Sequence, residues 1–231
     1  MQTIWKVEPH AHASEVSLCG KLSAKEVVRE VANCGYDAMF VTDHYTPEFF
    51  EGRTQGEAYA RALHEFFEGY RNARDAGELC GLRVFPAMEL RISAGREDYL
   101  VYGVSQEELL AMGCLAYLPL AEVIQRVRAT PHGLLYQAHP FRSYLQVQDA
   151  RHLDGVEVCN ANPRHDSRNA LALDFAKAHN LLRIAGSDVH QLGDAGAAHV
   201  KCPTFSSIAE FTALCKAGRV ECHSDLCGES R

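Results

Sequence analysis

The sequence predicts an α/β fold: a single domain, residues 1–231, in which short strands alternate with helices and pair into a largely parallel sheet. Three observations carry this expectation. The length of 231 residues exceeds the usual one-domain mode yet is short for two domains. Seven short apolar runs, rich in β-branched or aromatic residues, each end near Gly, Pro, Asp or His, as strands do. Longer amphipathic stretches separate most of them, which is the pattern of βαβ units. About seven strands so connected fit either a barrel or an open doubly wound sheet, and both place chemistry at the carboxyl ends of the strands.

In chain order, Ile4–Val7 reads as the first strand. Ser23-Ala24-Lys25-Glu26 then opens a helix, with a Ser N-cap and a Glu three residues later. Ala38–Thr42 is the second strand, and a long helical stretch over Glu57–Leu79 leads to the third, Arg83–Met88. Tyr99–Val104 follows too closely for an intervening long helix, so the repeat is irregular there. A helix over Leu120–Ala129 precedes the strand Gly133–Ala138. The strand Gly155–Cys159, a helix over Asp166–His179 and the strand Leu181–Ala185 come next. A last helix, Ser207–Ala217, meets the stop signal Gly218.

Composition narrows the function classes. Hydrophobic residues at 47% and charged residues at 23% are ordinary globular usage and argue against disorder. Thirty acids against twenty-three bases give a net charge of −7, which does not suit a protein that tracks a long phosphate backbone. No apolar run approaches the roughly 20 residues of a membrane helix. The opening Met1-Gln2-Thr3-Ile4-Trp5-Lys6-Val7-Glu8 lacks a basic region followed by an apolar core. The expectation is a soluble, cytoplasmic protein. The nine cysteines include no Cys-x-x-Cys pair and read as reduced thiols. The spacing of Cys215, Cys222, His223 and Cys227 matches no usual zinc module.

The predicted strand ends are where the unusual residues stand. His10 and His12 follow the first strand at i and i+2, so both imidazoles can face one ion. Asp43-His44 ends the second strand, where one residue can enter a site while its neighbour supports it. Glu89 ends the third, embedded among apolar residues; it needs a metal or a partner such as Arg91 to be buried at tolerable cost. His139-Pro140 ends the fifth, Glu157 lies within the sixth and Asn160 follows it, and Asp188 and His190 end the seventh at i and i+2. Each is weak alone. Jointly, five of seven strand ends carry a metal-ligand residue type and four carry histidine, a donor set suited to two or three divalent ions.

The order His-x-His, Thr-Asp-His, strand-end Glu, His-Pro and Ser-Asp-x-His, from His10 to His190, resembles the PHP family, named for polymerase and histidinol phosphatase. The resemblance implies a distorted (β/α)7 TIM-like barrel, a centre of two to three divalent ions (Zn, Mn or Fe) and hydrolysis of phosphoric esters. It implies that His10, His12 and Asp188 ligate one ion, that Glu89 bridges it to a second held also by His139, and that His44 and His190 hold a third. One more ligand is usual after the His-x-His motif; Glu15 and Cys19 compete for it, and Glu15 is preferred as a hard donor in a polar loop. Ala13 and Glu8 depart from the residues many members carry at those positions, which touches the surroundings of the site rather than its ligands.

The implied chemistry is a metal-activated hydroxide attacking a phosphoryl group in line with its leaving alkoxide. Asp43 and Arg142 are the candidate catalytic groups. Arg142, three residues after His139, is also the candidate phosphate clamp, with Arg164 and Arg168 as further substrate-binding candidates. The charge balance favours a small phosphomonoester, histidinol-phosphate-like, as substrate. The alternatives are a nuclease or nucleotide phosphodiesterase on the same centre, and a metal-binding module without catalysis.

Overall fold

The computed structural model describes residues 2–224. Its strands are β1 (Ile4–Ala11), β2 (Ala38–Val41), β3 (His44–Tyr45), β4 (Arg83–Pro86), β5 (Met88–Arg91), β6 (Asp98–Tyr102), β7 (Leu134–Gln137), β8 (Gly155–Asn160), β9 (Leu182–Gly186), β10 (Ala198–Pro203) and β11 (Glu221–Ser224). Its helices are α1 (Ala24–Asn33), α2 (Gly56–Phe66), α3 (Glu68–Cys80), α4 (Gln106–Met112), α5 (Leu120–Ala129), α6 (Asn169–His179) and α7 (Ile208–Lys216).

Local rules account for most of these elements. Ser23 caps α1, and the Glu26 carboxylate accepts from the Ser23 amide at 2.8 Å, closing the capping box. Ala24, Val27, Val28 and Val31 then form the buried stripe of that helix at helical spacing. The expected helix over 57–79 breaks at Phe67 into α2 and α3. Phe66 and Phe67 are both buried, and neighbours on a straight helix diverge by about 100°, so a break lets both rings reach the core. Helix α4, opened by Ser105 with Glu108 as a second capping box, was not expected from the sequence.

The strands form two ladders, β11-β10-β1-β2-β4 and β3-β5-β6-β7-β8-β9. They run on into one another: the Ala87 amide donates to the Val41 carbonyl (2.9 Å) and the Glu89 amide to the Asp43 carbonyl (3.1 Å). At the other margin, a parallel bridge joins Ala11 to Val189. The expected largely parallel sheet is in fact mixed. The pairs β5–β6, β6–β7, β1–β10 and β10–β11 are antiparallel. The connection from Arg91 to Asp98 is too short for a crossover helix, so β6 must return antiparallel. The fold is therefore mixed α/β in two ladders, and no closed sheet forms among the described residues.

Alternation along the strands sorts the core. Val7, Ala38, Phe40, Phe85, Leu100, Tyr102, Tyr136, Ile184 and Val200 meet Phe205 and Phe211 on one side of the sheet. Met39 and Val41, one residue out of phase with Phe40, pack on the other side with Val27, Val28 and Val31 of α1 and Ala73 of α3. No helix among the described residues is long and apolar enough to cross a membrane.

Candidate metal centre

Two irregularities of the strands aim the site. Three residues of β1, from Glu8 to Ala11, advance against two of β2, from Met39 to Val41. Before this bulge Val7 faces the Phe40 cluster; beyond it Ala11 and Ala13 face α1 and α3, which turns His10 and His12 to the inner side. A second bulge in β8 lies between Glu157 and Cys159. It places Glu157 and Asn160, three apart, on the same side. His139 (φ 30°) and Asp188 (φ 54°) adopt left-handed backbone, a conformation found at functional sites when surrounding structure enforces it.

Glu89 is the hub. Its register partner across β3–β5 is His44. One carboxylate oxygen, Oε1, lies 3.0 Å from His139 Nε2 and 3.5 Å from His10 Nε2. The other, Oε2, lies 3.1 Å from His44 Nδ1 and 3.4 Å from His12 Nε2. Asp188 Oδ1 stands 3.4 Å from His10 Nε2, 3.3 Å from His12 Nε2 and 3.2 Å from His190 Nδ1. Four donors at about 2.1 Å around a tetrahedral ion lie about 3.4 Å apart, so His10, His12, Glu89 and Asp188 have the separations of one shared ion. His10 Nε2, His12 Nε2 and His44 Nδ1 are buried without a hydrogen-bond partner. Ring nitrogens so placed are costly unless a cation takes their lone pairs, and the donor set therefore fits divalent ions.

The electrostatics agree with a cation site. Burial opposes ionisation of Glu89, yet His10 and His44 hold its carboxyl well below the usual range. Asp188 is likewise buried and likewise held well down, by His10, His12 and His190. Burial also opposes charge on His10, but Asp188, Glu157 and Glu89 outweigh it and hold the ring well above its ordinary value. Burial, with His190 and His44 nearby, keeps His12 neutral. Arg91, the salt-bridge partner considered for Glu89, instead pairs with Asp98, Nε to Oδ1 and Nη2 to Oδ2 at 2.8 Å each.

Residues 166–220 match the family model PHP_C, PHP-associated. Over the whole chain, solved structures share the fold. PsfC from Pseudomonas syringae is 19% identical at TM-score 0.67, over 96% of this chain and 92% of that one. A two-domain protein from Bacteroides vulgatus containing a predicted PHP-like metal-dependent phosphoesterase is 15% identical at TM-score 0.67, over 96% of this chain and 65% of that one. The fold is therefore shared with PHP-like metal-dependent phosphoesterases, and residues 166–220 carry the PHP-associated match. An amidohydrolase from Chromobacterium violaceum, solved with bound sulfate, is 16% identical at TM-score 0.56, over 95% of this chain and 99% of that one. No curated protein matches the chain in sequence.

Seven of the eight ligands expected from the sequence gather at one mouth: His10, His12, His44, Glu89, His139, Asp188 and His190. The eighth, Glu15, does not. Its carboxylate accepts from the Ala24 amide (2.9 and 3.1 Å), occupying the free N–H groups at the start of α1, and from Asn72 at 3.4 Å. A carboxylate is favoured there by the helix dipole, which explains the departure. Cys19 takes the nearer place: its Sγ lies 3.1 Å from His190 Nε2. Burial raises that thiol's pKa, but hydrogen bonds with His190 and His44 draw it down to about 6.

Asp43 is corrected from a catalytic to a supporting position. Its Oδ1 accepts from the Ala13 amide and from Ser17 Oγ, both at 2.7 Å, and Ser17 Oγ sits 3.4 Å from His12 Nδ1. The carboxylate thus fixes the loop after the His-x-His motif instead of entering the mouth; burial pushes its pKa up to about 7. Gly69 of α3 leaves room for it, since a Cβ there would lie 2.3 Å from Asp43 Oδ2 and 3.1 Å from Ala13 Cβ. Gly69→Ala is expected to cost about 1–3 kcal/mol, the scale of overpacking. Urea unfolding checks this, and an unchanged midpoint would show that the loop yields freely.

Arg142 is buried, and its fork is already engaged: Nη2 donates to Asp188 Oδ2 (2.9 Å) and Asn160 Oδ1 (3.0 Å), and Nε to Ser167 (3.3 Å). It orients the Asp188 carboxylate and so is not the free phosphate clamp expected from sequence. Arg164 forms a two-pronged pair with Asp194 at 2.7 Å. Arg168 is exposed, with Asp166 3.9 Å away. All three arginines line a cavity of about 150 Å³ together with Tyr144 and His165.

Three residues of the site escaped assignment from sequence. Glu157 Oε1 is 2.8 Å from His10 Nδ1, and its Oε2 accepts from the His139 amide at 2.9 Å. Asn160 Nδ2 donates to Glu157 Oε2 and Asp188 Oδ2. Asp98 Oδ2 lies 4.0 Å from His139 Nε2. The acid within the apolar run Gly155–Cys159 was a visible signal for Glu157, since a buried carboxylate must have a partner. The cluster of Cys215, Cys222, His223 and Cys227 remains without a role, and Cys227 lies outside the described residues.

Proposed function

We propose that this chain is a PHP-type metal-dependent phosphoesterase that hydrolyses small phosphomonoesters, and that its strands act as a distorted (β/α)7 barrel carrying two to three divalent ions (Zn, Mn or Fe) at one mouth. The observation that carries this reading is the single cluster in which each oxygen of Glu89 faces two histidines while three buried ring nitrogens lack protein partners. Divalent ions held there supply electrophilic neutralisation of phosphoryl charge and activation of water.

The chain's own residues divide the remaining work. His10, His12 and Asp188 form one donor group, His139 another, and His44 with His190 a third; Glu89 stands between them. Glu157 fixes the His10 ring through Nδ1, which leaves Nε2 free for an ion, the arrangement in which a carboxylate sets a ligand's tautomer. Arg142 keeps one oxygen of Asp188 occupied and so presents the other to the mouth. Arg168 and His165 line the cavity beside Arg142, and in this reading they receive phosphate oxygens.

A terminal phosphate fits one short basic pocket, whereas a polymer needs several basic residues along a groove. The net charge of −7 supports the former. The expected result is a higher kcat/KM on small phosphomonoesters than on single-stranded DNA or RNA, assayed with Zn, Mn and Fe at two salt concentrations. Faster oligonucleotide cleavage with a steep loss at high salt would favour the nuclease reading. No turnover of either class by metal-loaded protein would favour a non-catalytic module.

A further inference from the structure

We propose that the sulfur of Cys19 is a ligand of the ion position shared by His44 and His190, and that this soft donor makes the position select zinc over manganese. The proposal rests on the metal-centre reading above and adds to it a donor that sequence reasoning had ranked behind Glu15.

The three histidines point to an ion without any appeal to the cysteine. His12, His44 and His190 each offer a ring nitrogen, and these atoms lie within 4.8 Å of one another. His12 Nε2 and His44 Nδ1 are buried and lack hydrogen-bond partners. Cys19 Sγ lies beside this group, 3.1 Å from His190 Nε2.

The loop that carries Cys19 is held on both sides. The Gly20 amide donates to the Ser17 carbonyl at 2.9 Å, and the Lys21 amide donates to the carbonyl of His190 itself at 2.7 Å. Ser17 is in turn anchored on Asp43 at 2.7 Å. The sulfur is therefore registered against the histidine by backbone bonds. Glu15, the carboxylate on the same loop, is engaged at the start of α1.

The donor chemistry sets the selectivity. Thiolate with imidazole favours zinc and other borderline or soft ions, whereas manganese favours carboxylate and water oxygens. Coordination replaces the S–H bond by a sulfur–metal bond, and the proton leaves to solvent.

The test uses the full chain loaded with zinc or with cobalt(II), comparing wild type, Cys19→Ser and Cys19→Asp. X-ray absorption of the zinc form should show a sulfur neighbour at about 2.3 Å, lost in both variants. The cobalt(II) form should show a near-ultraviolet thiolate-to-metal band, also lost in both. Elemental analysis should find one ion fewer per chain in Cys19→Ser. In Cys19→Asp, where a hard donor replaces the soft one, the ion should be retained and the preference for zinc over manganese lost. Wild type that binds two or more ions with no sulfur neighbour, and with a cobalt spectrum identical to the variants', would overturn the role of Cys19 and leave the metal centre standing. Wild type that binds less than one ion would overturn both.

Discussion

Glu89→Gln is expected to lower kcat/KM on the best phosphomonoester by at least about a hundredfold, the scale of losing a major electrostatic contribution at a reacting centre. The substitution keeps the side chain's shape and removes its charge. Glu89 is buried, and its two oxygens lie within 3.0–3.5 Å of ring nitrogens from four histidines on three separate segments. A neutral amide can offer one weak acceptor and a donor that repels a cation, so donor groups on both sides lose their shared anion. Metal content should fall in parallel, by one ion or more per chain. A variant with wild-type turnover and unchanged metal content would refute the bridging position of Glu89.

Removal of the ions should destabilise the folded chain by a comparably large amount. Asp188, Glu89, Glu157 and Asp98 are all buried around the mouth, and in the metal-free state their charge is balanced chiefly by the neighbouring histidines and arginines. Ions bind the folded arrangement because the unfolded chain does not hold the ligands together. At a free concentration a hundred times the dissociation constant, one site adds about 2.7 kcal/mol. For a domain of this size each kcal/mol moves Tm by about 2–4 °C, so one site should raise it by about 5–10 °C. Differential scanning calorimetry after chelation and again after re-addition of zinc or manganese checks this. Coincident transitions in the two states would mean that the cluster binds no ion tightly.

The two effects are separable by a variant outside the ligand set. Glu157 touches His10 Nδ1 and the His139 amide, so Glu157→Gln should weaken metal affinity by about 10- to 100-fold, as for other groups that orient a ligand. A competition titration against a chelator reads this directly, and affinity equal to wild type would show that His10 is held well enough by β1 alone.

The sequence by itself determined which residue types gather at the mouth and in what order along the chain. His10 and His12 at i and i+2, the Asp188–His190 pair, Glu89 buried in an apolar run and the His-Pro at residue 139 were all legible, because strand periodicity and the cost of burying charge constrain what such residues can be doing. Tertiary structure decided the rest. Glu15 and Cys19 are both plausible donors in one short loop, and only the position of α1 shows that the carboxylate is taken by the Ala24 amide while the sulfur reaches His190. Asp43 and His44 are adjacent, and the packing of α3 at Gly69 decides that Asp43 turns to the loop and His44 to the mouth. Arg142 looked like a free clamp because its partners Asn160 and Asp188 lie 18 and 46 residues away. The antiparallel strands β10 and β11 lie outside the seven apolar runs, although Ala198, Val200 and Cys202 alternate as buried residues. Above all, the bulges in β1 and β8 shift the two-residue alternation by one, so that His10 with His12, and Glu157 with Asn160, face the same interior. A bulge is a mismatch between two paired strands, and its place is fixed by the neighbouring strand, which the local sequence does not contain.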